Sequence, residues 1–467
     1  MKKIMPIILI GILILSGIGA NASSRTKSEL VLYPTYTYDY DMVIIAPEEF
    51  SKEIQPLINH KNSHDVQTFL KTTEEIYLEY NGRDEAEQIK YFIKDALENQ
   101  KIKHVLLVGD IDNVPIRKSW VRFYYGSSLI FDSCITDLYY ADIYDAKGGF
   151  CSWDSNNNNK FGETVQDVGF YNQTFEYIDD VDLYPDVSIG RLPCSNSNEI
   201  KIVVDKIVHY ETQTYDREWF NRLILMGGDT FPYKYGWSYP GCEIYEGENI
   251  TGYIGEKLDG FESIKLWTSL NTFRILNINR KINKGAGFVS YAGHGSETGF
   301  GTSMPNSSKY ISYKAPWIYG LRNKHKLPIM YLSACSTARL DCKIRDIHSN
   351  PLLRLLYSFL ASVSYKADNL FPCFAWQLVK REQGGAIAVI GATNKCLAGE
   401  AGDFINTGTD RLMVQFFLAY EPGITVGTML LKSKQDYMKN AFPLINECVN
   451  MELYTLIGDP SLRVGGY

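Results

Sequence analysis

The chain has 467 residues, 45% hydrophobic and 22% charged, so it can bury a large core and global disorder is excluded. Its 54 acidic against 47 basic residues give a net charge of -7 with no long basic run, which sets nucleic acid aside as a partner. Nine cysteines, none in a Cys-x-x-Cys pair, give no support to a zinc or redox motif.

Residues 1–22 read as a signal peptide. Lys2 and Lys3 precede an apolar stretch from Ile4 to Ile14, and Ala20-Asn21-Ala22 forms a small-residue cleavage site. The apolar stretch is short for a membrane span, and no second run of about 20 apolar residues follows. The mature chain is therefore expected outside the cytoplasm, secreted, or at the cell surface if the N-terminal segment is retained. In that oxidising setting the odd cysteine count makes one unpaired thiol a candidate reactive residue, the alternative being cysteines that are simply buried small hydrophobes.

After a Tyr-rich linker, residues 23–40, strands and helices alternate. Met42 to Ala46 is a buried-strand pattern. Ile89, Phe92, Ile93, Ala96 and Leu97 lie on one stripe of a helix over 88–98, and Val105 to Val108 gives the next strand, closed by Gly109-Asp110. This rhythm predicts a parallel sheet. From Ser133 to Asp186 the chain is rich in Tyr, Asp and Asn, with few regular signals. Within it, Asp154, Asn156, Asn158 and the Lys160 carbonyl occupy the first four ligand positions of a calcium loop. Val165 stands where the twelfth-position acid belongs, leaving Glu163 to complete the set; an Asn-rich surface turn is the alternative.

A second helix carries Ile200, Val203, Val204, Ile207 and Val208 on one stripe, with Ser197 or Asn198 able to cap it. The rhythm restarts near 211–218, dividing an N-terminal α/β subdomain, 41–211, from a C-terminal one, 212–467. Leu223 to Met226 is a strand ending in Gly227-Gly228-Asp229. Gly287 to Ala292 is a strand broken by Gly293-His294-Gly295, and Pro328 to Ala334 is a strand ending on Cys335. Residues 342–370 read as an irregular insertion, and Ala386 to Ile390 is a further strand.

Reacting groups in such sheets gather at the carboxyl ends of the strands. An imidazole and a thiol delivered there are a base and a nucleophile, and the Gly295 and Cys335 amides are candidate oxyanion donors. The chemistry would be thiolate attack on a peptide carbonyl, protonation of the leaving amine by His294, and hydrolysis of the thioester.

Gly293-His294-Gly295-Ser296-Glu297-Thr298 and Ala334-Cys335, each at a strand end, resemble the gingipain family of cysteine peptidases, within the caspase-like superfamily (clan CD). The resemblance extends to Leu106 to Asp110, Ile189-Gly190-Arg191-Leu192, Phe371 to Ala375 and Gly458 to Leu462, and so covers about 41–464. It implies a three-layer α/β/α caspase-like fold, His294 as general base and acid, Cys335 as nucleophile, and Asp229 as the acid that orients the histidine. It also places Glu243 or Glu246 in the primary specificity pocket and Leu397 near the residue that closes it. Calcium loops occur in the family, which favours a structural Ca2+ at 154–163; no organic cofactor is implied. The expected partner is a protein or peptide substrate, with the oligomeric state left open. A peptidyl transferase of an export system and a non-catalytic surface binding protein are the alternatives.

Overall fold

Five apolar pentapeptides, Met42–Ala46, His104–Val108, Phe288–Ala292, Ile329–Ser333 and Ala388–Ala392, are buried at every position. Such runs bury both faces only in the interior of a helix-covered sheet. In the computed structural model, which describes residues 39–467 except 126–127, 169–172, 233–244, 306, 308, 348–349, 361–368, 399–404 and 440–444, they join one ten-stranded sheet. Its order is Glu262–Trp267, Arg222–Gly227, Phe288–Ala292, Ile329–Ser333, Ala388–Ala392, Tyr454–Ile457, Ser188–Leu192, His104–Val108, Met42–Ala46 and Thr68–Thr72. Helices flank the sheet, giving the expected three-layer α/β/α fold. The predicted signal peptide and nearly all of the linker lie outside the described residues.

The sheet is parallel within each half and reverses direction at one junction. Tyr454–Ile457 runs antiparallel to Ala388–Ala392 and parallel to Ser188–Leu192. The strands of 41–211 fill one end of the sheet and those of 212–467 the other, and this late four-residue strand joins them. Arg191, on the neighbouring strand, is fully buried. Its guanidinium grips both carboxylate oxygens of Asp137, at 2.8 and 2.7 Å, and donates to the carbonyls of Gly109, Val114 and Pro115.

Three local readings change. The second helix, Ser197–Gln213, is capped by Asn196, whose side chain accepts from the Asn198 and Glu199 amides, so the cap lies one residue earlier than the predicted pair. The stretch 133–186 contributes to a second, five-stranded sheet through Cys134–Thr136, Phe161–Val168 and Gln173–Tyr177. Its strands mix Asp, Gln and Thr with apolar residues, so alternation does not mark them. The insertion 342–370 contains two helices, Ile344–Ile347 and Pro351–Leu360. Asn350 caps the second through the Leu352 amide, at 2.9 Å. Leu352, Leu353, Leu355, Leu356 and Phe359 are exposed, so apolar residues surround much of this helix and blur the single stripe that reveals a helix in a sequence.

Candidate active site

Register assembles the site. Met226 lies opposite Tyr291, Tyr291 opposite Leu332, and Tyr331 opposite Ile390, in four adjacent parallel strands. Asp229, His294 and Cys335 each follow the end of their strand by two residues, so all three emerge at one level of the carboxyl edge. The contact is close: a Cβ on Gly295 would stand 2.4 Å from the Cys335 carbonyl and 3.0 Å from its amide nitrogen. Only glycine lets the histidine loop rest on the cysteine backbone. Gly293, at φ +154°, turns the chain above Tyr291, whose hydroxyl donates to the carbonyls of Gly301 and His294.

The His294 ring is fixed by a carbonyl. Nε2 lies 2.9 Å from the Thr230 oxygen, which can only accept, so Nε2 carries the proton and Nδ1 keeps the basic lone pair. The sequence expectation gives this orienting role to the Asp229 carboxylate; the bond seen on Nε2 is to the backbone of the next residue. Asp229 is buried, and its backbone bridges to Ser303 in both directions at 3.2 Å. Phe231 and Tyr310 stand beside the ring, with centroids at 5.8 and 6.3 Å.

Glu246 supports this loop from below. It is buried, and one carboxylate oxygen accepts from the Thr230 amide at 3.0 Å and the Phe231 amide at 3.3 Å. Burial, with the nearby Asp229 charge, nevertheless raises its pKa. One Glu246 oxygen thus holds the segment that bonds His294. Glu243 lies outside the described residues.

Cys335 is half-buried, and its Sγ lies 3.7 Å from the Sγ of Cys396. Hydrogen bonding from the Cys396 thiol is the main reason the Cys335 thiol comes down to about 7, against the opposing effect of burial. The next residue, Ser336, takes the left-handed conformation at φ +56°, and its amide donates to the Asn394 carbonyl at 2.9 Å. Two residues before the thiol, Ser333 donates to the buried Asp410 carboxyl at 2.6 Å. Burial pushes Asp410 up to about 7, with the Glu246 charge adding to the shift.

A pH-dependent labelling experiment follows. A thiol lowered by its partner is half ionised near pH 7, so the alkylation rate of Cys335 by iodoacetamide is expected to rise with pH about that midpoint. Cys396→Ala removes the donor and should move the midpoint up, to about 8.5 or above. An unmoved midpoint would assign the lowering to another group.

A family model, described as peptidase family C25, matches residues 35–465. The chain belongs to peptidase family C25. It is similar to gingipain R2 of Porphyromonas gingivalis, at 23% identity over 443 residues covering 91% of this chain and 46% of that protein. It resembles Lys-gingipain of the same organism at 21% identity over 231 residues, 47% of this chain and 10% of that protein. The chain thus spans about half or less of the length of these relatives. Among solved structures, that of the Arg-specific cysteine proteinase gingipain R superposes with a TM-score of 0.59 at 21% identity, covering 91% of this chain and 78% of that one.

Against this C25 framework, Leu397 is partly buried beside the core, and its amide and carbonyl are both held by the Asn450 side chain, at 3.0 and 2.9 Å. Its neighbour Cys396 is the residue that meets Cys335. Arg339, in the turn after Cys335, bonds Glu297 of the histidine loop at 3.0 Å and Asp341 at 3.1 Å, tying the two loops together. Thr230, Cys396 and Asp410 were not singled out from the sequence. Each follows a strand or opens a helix at this edge, and strand register is the signal that could have pointed to them.

The odd cysteine count proves uninformative, since all eight described cysteines are free thiols. A cavity of about 290 Å³ is lined from both halves of the chain, by Asp110, Pro193 and Glu199 and by Leu340 and Phe371 among others, and contains neither His294 nor Cys335. Among the described residues no helix is long and apolar enough to cross a membrane.

The calcium-loop residues do converge, but cations already face them. Asp154 is buried; it accepts from the Asn158 and Asn159 amides and pairs with Arg83. Glu163 pairs with Arg122 at 3.1 Å and Lys160 at 3.7 Å, and its carboxylate also accepts from the side-chain amides of Asn156 and Asn158. With both carboxylates neutralised, the residues as placed do not fit a calcium ion, and no group of three acidic, histidine or cysteine side chains among the described residues could hold a metal. Calcium or a chelator is therefore expected to leave the melting temperature unchanged. A calcium-dependent rise lost in Asp154→Ala would put the ion in this loop.

Proposed function

We propose that this chain is an extracytoplasmic cysteine endopeptidase in which Cys335 attacks the scissile carbonyl and His294 moves the protons. The carrying observation is the seating of the Gly293-His294-Gly295 turn on the Cys335 backbone in a chain of family C25. Attack by the thiolate makes a tetrahedral oxyanion, for which the Gly295 and Cys335 amides, on facing backbones, are the donors. His294 takes up a proton at Nδ1 and delivers it to the leaving amine; water then attacks the thioester with the same nitrogen as base. The Thr230 carbonyl holds the tautomer this requires, and Tyr310, half exposed beside the ring, lines the approach. Export rests on the N-terminal sequence pattern.

Arginine specificity does not transfer from gingipain R by these contacts. Glu246 is committed to the Thr230 and Phe231 amides, and Leu397 offers no aromatic face for a guanidinium, a contact worth about 0.5–2 kcal/mol. Digestion of a peptide library, with the products sequenced, tests both the activity and its preference. Cleavage after Lys and Arg at similar rates, with apolar residues also accepted, is the expected result. No cleavage of any peptide by protein whose Cys335 still alkylates would sink the endopeptidase reading, and strict preference for acidic residues would overturn the expected pocket.

A further inference from the structure

Two thiols meet at this site, and the second, which lowers the pKa of the first, forms no bond to substrate in the hydrolysis above. Cys335 and Cys396 follow adjacent parallel strands, Ile329–Ser333 and Ala388–Ala392, so their loops run side by side and are joined by the Ser336 amide on the Asn394 carbonyl. Their sulfurs lie 3.7 Å apart, and Cys335 is only partly buried, so a small oxidant can reach it. We propose that Cys335 and Cys396 form a reversible redox pair, in which a hydroperoxide converts the nucleophile into an intramolecular disulfide that stops hydrolysis and shields it from deeper oxidation. This rests on the reading of Cys335 as the reactive thiol.

The chemistry balances in two steps. The Cys335 thiolate attacks one peroxide oxygen; the O–O bond breaks, a sulfenic acid forms, and the released hydroxide (or alkoxide) takes a proton. The Cys396 sulfur then attacks the Cys335 sulfur; the S–S bond forms, the S–O bond breaks, and hydroxide leaves with the Cys396 proton as water. Two thiols lose two electrons in all, and the peroxide O–O bond accepts them. A low-molecular-weight dithiol reverses the step by exchange.

The surroundings favour this order of events. Hydrogen bonding from Cys396 keeps Cys335 ionised near neutrality, which makes it the thiol that meets the oxidant first. Cys396 is itself held up first by its bond to Cys335, next by burial, and then by the Cys335 charge. Oxidation of Cys335 to a neutral sulfenic acid removes that charge and that bond to a thiolate, so Cys396 becomes easier to ionise when it must attack. Closure needs the sulfurs to approach from 3.7 Å to about 2.05 Å, a short movement for two turn-borne side chains. Cys134, Cys194 and Cys373 are buried thiols whose pKa burial raises, so they should oxidise more slowly than Cys335.

The test treats the full chain with a slight excess of hydrogen peroxide at neutral pH, then maps disulfides by mass spectrometry of an unreduced digest and assays hydrolysis before and after dithiothreitol. The expected result is a Cys335–Cys396 crosslinked peptide, complete loss of hydrolysis, and full recovery on reduction. In Cys396→Ser, and separately in Cys396→Ala in case one variant folds poorly, peroxide should instead drive Cys335 to sulfinic acid, with no recovery. A Cys335 sulfinic acid in the unsubstituted chain, a disulfide to any other cysteine, or equal recovery in the Cys396 variants would overturn the pair. Because the crosslink is read by mass, a chain that forms it without hydrolysing peptides would refute the proposed function and leave the redox pair standing.

Discussion

Replacing Cys335 by alanine is expected to lower peptide turnover by roughly 10⁴–10⁶-fold while leaving the unfolding transition close to that of the unsubstituted chain. The substitution deletes one sulfur from a half-buried turn, and the strand before it keeps its pairing with Phe288–Ala292 and Ala388–Ala392. His294→Ala should cost nearly as much, because the thiolate without its imidazole cannot protonate the leaving amine. The double variant should be no worse than either single one, since groups that act in one step do not lose their contributions additively. The measurement is turnover and KM for the best library peptide in all three variants. Additive losses, or a Cys335→Ala variant that still hydrolyses, would remove the nucleophile assignment. Thr230 contributes only a main-chain carbonyl to His294, so Thr230→Ala is expected to leave that bond in place.

The second large effect concerns stability. Arg191→Met is expected to cost about 3–5 kcal/mol, because it strands the Asp137 carboxylate in the interior and leaves the Gly109, Val114 and Pro115 carbonyls without their donor. That is a large share of the roughly 5–15 kcal/mol that holds a domain folded. The charge is the costly part, so Asp137→Leu combined with Arg191→Met should recover stability relative to Arg191→Met alone. Urea unfolding of the two variants and the unsubstituted chain gives the comparison. A loss below about 1 kcal/mol for the single variant would mean that water reaches Asp137 and hydrates it. The position matters to the site through the sheet: the Arg191 strand borders Tyr454–Ile457, which in turn pairs with the strand leading to Cys396.

The buried strands, and the placement of His294 and Cys335 just past two of them, were legible in the sequence for a local reason. Continuous apolar runs such as Met42–Ala46 and Phe288–Ala292 fit only the sheet interior, and a Gly-His-Gly turn or a Cys after such a run can face only the carboxyl edge. The periodicity of Ile89, Phe92, Ile93 and Ala96 likewise placed a helix that proves to be Glu85–Asn99. Polar strands such as Phe161–Val168 escaped because their pairing, and not their composition, makes them strands. The partners of the site depended on tertiary structure alone. No local signal marks the Thr230 carbonyl as an acceptor for His294, or Glu246, 16 residues on, as the group that holds the Thr230 amide. Cys396 met Cys335 from 61 residues away because two parallel strands align their ends in register, a relation fixed by hydrogen bonds between strands that a linear sequence does not display.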